Sequence, residues 1–234
     1  MPKTQRRHVT TRPNPRASGG KVYSFFARAR DVAAAGGALL ALSPLIALTG
    51  IYVRVKLGRP VLFRQERIGK DGSPFTIVKF RTMKPFAYDH QPDSERMSQA
   101  GSLLRTTSLD ELPTLWNVLI GDMSLVGPRP LLPWYLEHCS PEQARRHKVR
   151  PGITGLAQVR GRNSLTWPER FEADVEYVDH RSFLFDTQIL IRTVGVVLAR
   201  EGISEEGQAT MTPFAPHPET ILQREDTPDA ETAQ

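Results

Sequence analysis

Two adjacent acids, Asp110 and Glu111, stand in the run SLDELP at 108–113, just ahead of the helical pattern LWNVLI. Their types and spacing admit two readings. Ser108-x-x-Glu111 has the form of a capping box, and acids favour a helix N-terminus because of the partial positive charge there. Spacing alone favours that reading. Pro113 works against it, because with Ser108 as N-cap the proline would fall past the first turn, where it clashes and removes a hydrogen bond. A helix beginning at Asp110 or Glu111 places Pro113 in its first turn, where no N–H is missed. The two carboxylates would then point about 100° apart, which suits two separate tasks better than a shared proton. One can attack phosphorus, since carboxylates serve as phosphoryl acceptors. The other can hold Mg²⁺, which takes one or two carboxylates together with substrate phosphates. Free N–H groups at the helix start would add a phosphate-binding site.

The surroundings are cationic. Lys79 and Arg81 lie in VKFRTM, Arg105 precedes the acids, Arg129 is held in GPRP, and Arg150 opens RPGITG. Arginines fixed between Pro and Gly sit on constrained turns from which a guanidinium can be aimed at phosphate. Any one of them alone is ordinarily a solvated surface charge; the grouping around two acids is what suggests phosphoryl chemistry.

The flanking patterns say what positions these groups. PVLFRQERIG and PFTIVKFRTM are β-rich runs separated by the turn signal KDGS, and predict a β-hairpin carrying Lys79 and Arg81. KPFAYDHQPDSERMSQAG has little periodicity and is read as a mobile polar loop. Helical pattern returns at 112–120 and at PLLPWYLEHC. In SPEQARRHKV, Ser140 is the expected N-cap, Pro141 the first helical residue and Gln143 the capping-box partner. RPGITGLAQVRGRNSLTW is Gly- and Arg-rich, with no helix expected. The following stretch to Arg200 predicts two helices, the last with a broad apolar face that packs on the core or lies at a membrane surface.

Residues 32–53 carry no charge, long enough to span a bilayer at about 20 residues. The apolar run is too long, and the basic part before it too extended, for a signal peptide. Ser43-Pro44 at its middle should break or kink a helix. Both flanks are basic, and positive flanks prefer the cytoplasmic side, where a spanning helix can put only one of them. Arg28 and Asp31 stand three apart at the entrance, on one helical face, where they can pair. A hairpin that enters one leaflet, turns at Ser43-Pro44 and leaves on the same side meets all three conditions. A kinked span and a buried helix of a soluble protein are the alternatives.

The 234 residues suffice for one domain with appendages. Lys and Arg number 31 against 25 Asp and Glu, for a net charge of +6. That balance calls for an anionic partner: nucleic acid, an anionic lipid surface or a phosphorylated small molecule. Nucleic acid is not expected, because the basic residues are spread over the arm and the candidate site and no reader motif appears. A non-catalytic protein whose basic arm binds anionic lipid would not explain why the acids and core arginines occur together. The single cysteine, Cys139, excludes an internal disulfide. No zinc pattern, P-loop, G-x-G-x-x-G or H-E-x-x-H is present. The expected fold class is α+β: a mostly helical, membrane-associated monotopic domain with a re-entrant N-terminal helix hairpin and a small β-hairpin. Its parts are a disordered basic arm (1–20), the re-entrant helix (21–58), the main domain (59–211) and a disordered tail (212–234).

The strings RARD…SP, PVLFRQERIGKDGSPFTIVKFRTM, SLDELPTLWNVLIGDMSLVGPRPLL and RHKVRPGITGLAQVRGRN resemble the bacterial sugar transferases known as monotopic phosphoglycosyl transferases. The resemblance runs from about Phe25 to Phe214, motif by motif in order. It implies transfer of a sugar 1-phosphate from a UDP-sugar to undecaprenyl phosphate, giving undecaprenyl-diphospho-sugar and UMP. Asp110 is the implied nucleophile of a covalent phosphosugar intermediate and Glu111 the implied Mg²⁺ ligand; Asp110 acting as a base in a ternary complex stays open. Lys79, Arg81, Arg105, Arg129, Arg150, Gln158, Arg162 and Asn163 are the substrate-binding candidates. Arg28, Asp31, Ser43 and Pro44 belong to the membrane hairpin. The implied location is the bacterial inner membrane, with residues 59–211 catalytic on the cytoplasmic face, as the first membrane step of glycoconjugate synthesis; self-association into a homo-oligomer stays open. Residues 202–214 resemble the ending of small members that begin protein glycosylation, which leans the sugar toward an N-acetylated amino sugar such as diacetylated bacillosamine, with galactose, glucose and N-acetylgalactosamine open. Two residues depart from the family pattern. Leu156 replaces a tryptophan and is expected to reshape a wall near substrate or membrane, and Arg30 replaces an aromatic or apolar residue and adds interfacial charge.

Overall fold

The computed structural model of the chain describes residues 21–85, 88, 91, 93–161, 164–199 and 214. The basic arm at 1–20 and, Phe214 apart, the tail at 212–234 lie outside the described residues, as do Arg162 and Asn163.

The uncharged segment forms two helices, α1 (Lys21–Ala41) and α2 (Ser43–Lys56), bent by 63° at the Ser-Pro step. Pro44 sits in the first turn of α2, where its missing N–H is harmless, and Ser43 Oγ donates to the Leu40 carbonyl at 2.8 Å. No single described helix is long and apolar enough to cross a membrane; the bent pair together is. Val22, Phe25, Leu40, Leu48, Ile51 and Val55 are exposed along it.

The β-hairpin forms as expected. β1 (Leu62–Ile68) pairs antiparallel with β2 (Pro74–Phe80), with Phe63 opposite Lys79, Gln65 opposite Ile77 and Arg67 opposite Phe75. Asp71 at φ 55° and Gly72 at φ 80° make the reversal between them. The segment read as a loop is partly helical: α3 (Asp93–Arg96) is one turn, and α4 (Gln99–Thr106) starts at the Ser98 N-cap, whose hydroxyl accepts from the Gly101 N–H. A Cβ at Gly101 would lie 1.8 Å from the Thr82 carbonyl oxygen, so only glycine lets α4 approach the hairpin's end this closely.

After a 3₁₀ turn (Leu109–Glu111), α5 (Thr114–Ile120) runs along α1 and β2 and ends at Gly121, whose φ of 101° makes a left-handed cap. β3 (Ser124–Val126) pairs in parallel with β4 (Gly152–Thr154), a ladder too short to show alternation in the sequence. PLLPWYLEHC yields a 3₁₀ stretch (Pro133–His138). α6 (Pro141–Ala144) starts with the Ser140/Gln143 capping box as expected. The stretch expected to lack a helix holds the five-residue α7 (Leu156–Arg160) as well as β4. α8 (Trp167–His180) and α9 (Phe183–Ala199) are the two predicted helices.

α9 packs on the core with one face and leaves the other exposed. Asp186 and Ile189 are buried, while Phe183, Leu184, Ile191 and Val194 are exposed. Leu156 forms no wall at substrate or membrane; it is 2% exposed and packs with Val126, Val149, Tyr177 and Ile189. Arg30 is not a loose interfacial charge either: its guanidinium reaches Asp186 at 2.8 Å and Asp31 at 3.1 Å, tying α1 to α9.

Candidate active site

The dyad sits on the 3₁₀ turn rather than on a capped helix. Ser108 is left-handed, at φ 56°, and its side chain makes no cap bond, so the capping-box reading fails. Left-handed geometry costs a non-glycine residue roughly 1 kcal/mol and is retained where the surroundings enforce it. Here it reverses the chain between α4 and the turn. With three residues per 3₁₀ turn, the adjacent side chains diverge by about 120°, as two separate roles require.

Glu111 is locked. Its Oε1 accepts from Lys79 Nζ at 2.5 Å and from Arg129 Nη2 at 3.3 Å. Burial alone would raise its pKa; the Lys79 and Arg129 charges outweigh that and hold it at about 2. Asp110 is the opposite case. Its carboxylate accepts no hydrogen bond among the described residues, and burial together with the neighbouring Glu111 charge lifts it to about 6, against the pull of Lys79, Arg105 and Arg129. Burial pushes Lys79 down, opposed by Glu111, and likewise Arg105, opposed by Asp110. Arg105 Nε also donates to Thr82 Oγ1 at 3.0 Å.

The elements behind these groups explain the geometry. α5 docks on the free edge of β2 through two side chains that act as strand partners. Thr114 Oγ1 donates to the Val78 carbonyl at 3.0 Å. Asn117 Oδ1 accepts from the Val78 N–H at 3.1 Å, and its Nδ2 donates to the Thr76 carbonyl at 2.7 Å. The strand residue next to Lys79 is thereby pinned to the helix that follows Glu111. Arg28 secures the other end of α5, donating to the Val118 and Leu119 carbonyls at 2.5 and 2.7 Å, a cation at a helix C-terminus. The expected Arg28–Asp31 pair therefore does not form, because each has a better partner elsewhere; Asp31 accepts from Ser124 Oγ at 2.5 Å and from Arg30.

Arg129 is held by its own backbone. The buried Arg146 donates to the Arg129 carbonyl at 2.7 Å while paired with the buried Asp174 at 2.6 Å. The resulting cavity is lined by Arg67, Ile77, Lys79, Glu111, Met123 and Arg129, among others.

Of the expected substrate-binding residues, Lys79, Arg105 and Arg129 gather at the dyad. Three others do not. Arg81 is 7% exposed and donates from Nη2 to the Leu57 carbonyl at the end of α2, its Nε and Nη1 buried without an acceptor among the described residues. Arg150 donates to the Gly121 carbonyl at 2.8 Å and lines a separate open recess of about 260 Å³ with Lys70 and Asp122. Gln158, on α7, has a buried amide without a hydrogen-bond partner among the described residues and does not line the cavity beside Glu111. Two contributors were missed. Asn117 looked like part of an apolar helix. Arg67 was discoverable, since the hairpin register puts Phe63, Gln65 and Arg67 on the same face as Lys79. Among the described residues no cluster of three or more His, Cys, Asp or Glu side chains could hold a metal alone. Both bonds to Glu111 fall on Oε1, so its Oε2 is available to a cation that also binds substrate phosphate.

Comparison with known proteins agrees with this chemistry. The model of the bacterial sugar transferase family matches residues 22–200. The uncharacterized sugar transferase EpsL of Bacillus subtilis is 49% identical over 187 residues, 79% of this chain and 93% of that protein. The UDP-glucose:undecaprenyl-phosphate glucose-1-phosphate transferase of Caulobacter vibrioides is 41% identical over 74% of this chain and 70% of its own length. The UDP-N-acetylgalactosamine-undecaprenyl-phosphate N-acetylgalactosaminephosphotransferase of Aeromonas hydrophila is 34% identical over 77% of this chain and 45% of its own. The chain belongs to the bacterial sugar transferase family, and the dyad and its cations lie within the matched region.

Proposed function

We propose that the protein transfers a hexose or N-acetylhexosamine 1-phosphate from a UDP-sugar to undecaprenyl phosphate at the bacterial membrane, releasing UMP. The observation that carries this reading is the contrast within the dyad: a Glu111 locked by Lys79 and Arg129 and held well below the usual carboxylate range, beside an Asp110 that accepts no hydrogen bond among the described residues and is ringed by cations. In the first step an Asp110 oxygen attacks the sugar-bearing phosphorus, and the anhydride bond to UMP breaks with its electron pair leaving on UMP. In the second, a phosphate oxygen of undecaprenyl phosphate attacks the same phosphorus and frees the Asp110 carboxylate. Lys79, Arg105 and Arg129 offset charge on the donor diphosphate and on the departing phosphate. Mg²⁺, when bound, would sit on Glu111 with the donor's phosphates and neutralise further charge.

The membrane reading rests on the bent, outwardly apolar α1–α2 pair and the basic residues on both of its flanks. It puts residues 59–211 on the cytoplasmic side, where a soluble nucleotide sugar and a lipid phosphate can both reach Asp110. The relatives' names specify glucose and N-acetylgalactosamine. The lean toward diacetylated bacillosamine rests on residues 202–214 alone and has no counterpart among those names.

The test is UMP release from a panel of UDP-sugars with undecaprenyl phosphate and Mg²⁺, using the protein and its Asp110→Asn variant. Release with at least one sugar, lost in the variant, is expected. Release that survives in Asp110→Asn would contradict the assignment of Asp110.

A further inference from the structure

The cavity beside Glu111, which Asp110 does not line, holds more positive charge than its one acid balances. Around Glu111 it gathers Arg67, Lys79 and Arg129. Lys79 and Arg129 share the Glu111 carboxylate. Arg67 has no acidic partner among the described residues. Its Nη2 donates to Gln65 Oε1 at 2.6 Å, its Nη1 to the Pro130 carbonyl at 3.2 Å, and its Nε is buried with no acceptor. Burial first, and the Arg129 charge second, depress its pKa to about 10. A partly buried guanidinium facing neutral oxygens is costly to keep, because buried charges are ordinarily paired. The missing partner must be anionic, must enter the cavity from solution, and must suit a planar fork of donors, as phosphate oxygens do.

We propose that Arg67 is a phosphate-binding residue of the cavity beside Glu111, taking an oxygen of the donor diphosphate. The identity of the donor rests on the transferase reading above; the anion site rests on the cavity. Arg67 reaches the cavity from β1, on the same hairpin face as Lys79, so the two cations are spaced by the sheet rather than by a loop.

A brace for the Pro130 carbonyl is the competing role, and the two differ in a measurable way. A brace lost weakens the unliganded protein. An uncompensated charge lost does not, and removes anion affinity instead. Calorimetric titration of the full chain with inorganic diphosphate and with UDP, in the wild type, Arg67→Gln and Arg67→Lys, is paired with unliganded melting temperatures. Arg67→Gln is expected to weaken inorganic diphosphate at least tenfold with an unchanged or higher Tm, and Arg67→Lys to keep part of the affinity. Unchanged affinity in Arg67→Gln, a fall in unliganded Tm accompanying the loss, or no diphosphate binding by the wild type would each overturn the proposal. Binding that is Arg67-dependent, in a protein that releases UMP from no UDP-sugar, would uphold the phosphate site and fell the transferase reading.

Discussion

At the scale of single residues, the site works by giving two neighbouring carboxylates opposite electrostatics. Asp110 is held above the usual carboxylate range at about 6, so its charged form costs the folded protein something at neutral pH. Asp110→Asn is therefore expected to raise the melting temperature at pH 7. The gain should shrink as pH falls through 6 and vanish only below the ordinary carboxylate pKa, where Asp110 is protonated in both states. Melting scans of both proteins against pH check this, and a destabilised Asp110→Asn at pH 7 would contradict it. Glu111 contributes with the opposite sign: its stabilisation is complete above its ordinary pKa and is lost as pH falls from there toward 2. On the proposed mechanism turnover requires ionised Asp110, so a pH–rate profile should show an acidic limb centred near pH 6; a rate flat down to pH 5 would contradict it. The string SLDELP made the dyad legible, and cations aimed from Pro- and Gly-bounded turns made Arg129 legible. Arg81 and Arg150 lie away from the dyad because their partners, the Leu57 and Gly121 carbonyls, are backbone atoms that no residue type announces.

At the scale of elements, the Lys79–Glu111 contact is set by how α5 sits on β2. Asn117 is 1% exposed and satisfies two strand groups that would otherwise be buried and unpaired. Asn117→Ala is expected to cost about 2–6 kcal/mol, at roughly 1–3 kcal/mol for each of the two groups left unsatisfied. It should lower turnover as well, through looser Lys79. Chemical denaturation and steady-state rates measure both, and a loss under about 0.5 kcal/mol would show that the strand edge is satisfied some other way. The β-hairpin was legible from its turn signal and β-rich runs, and α6 from its capping box. β3, β4 and α7 were not, since three to five residues are too few to display a period. α4 was hidden because its docking relies on a glycine, Gly101, against a backbone carbonyl.

At the scale of the whole molecule, the bent α1–α2 pair and the dyad form one mechanical unit. Arg28 of α1 caps α5, Asp31 of α1 holds Ser124 of β3, and Arg30 ties α1 to Asp186 on α9. The 63° bend at Ser43-Pro44 and the outward apolar residues suit a segment that dips into one leaflet and returns. Reporter tags at the two termini are expected on the same side of the membrane; opposite sides would show a span. The bend was legible because proline has a local steric consequence. The Arg28–Asp31 pairing was not, because their partners lie about ninety residues away in sequence. The central claim is that Asp110 becomes covalently phosphorylated by the donor. It is tested most directly by intact mass of the protein incubated with a turned-over UDP-sugar and no lipid acceptor. The account predicts a mass increase of one sugar phosphate, absent from Asp110→Asn and removed on adding undecaprenyl phosphate. An active preparation that never shows the adduct would contradict it and favour direct transfer in a ternary complex.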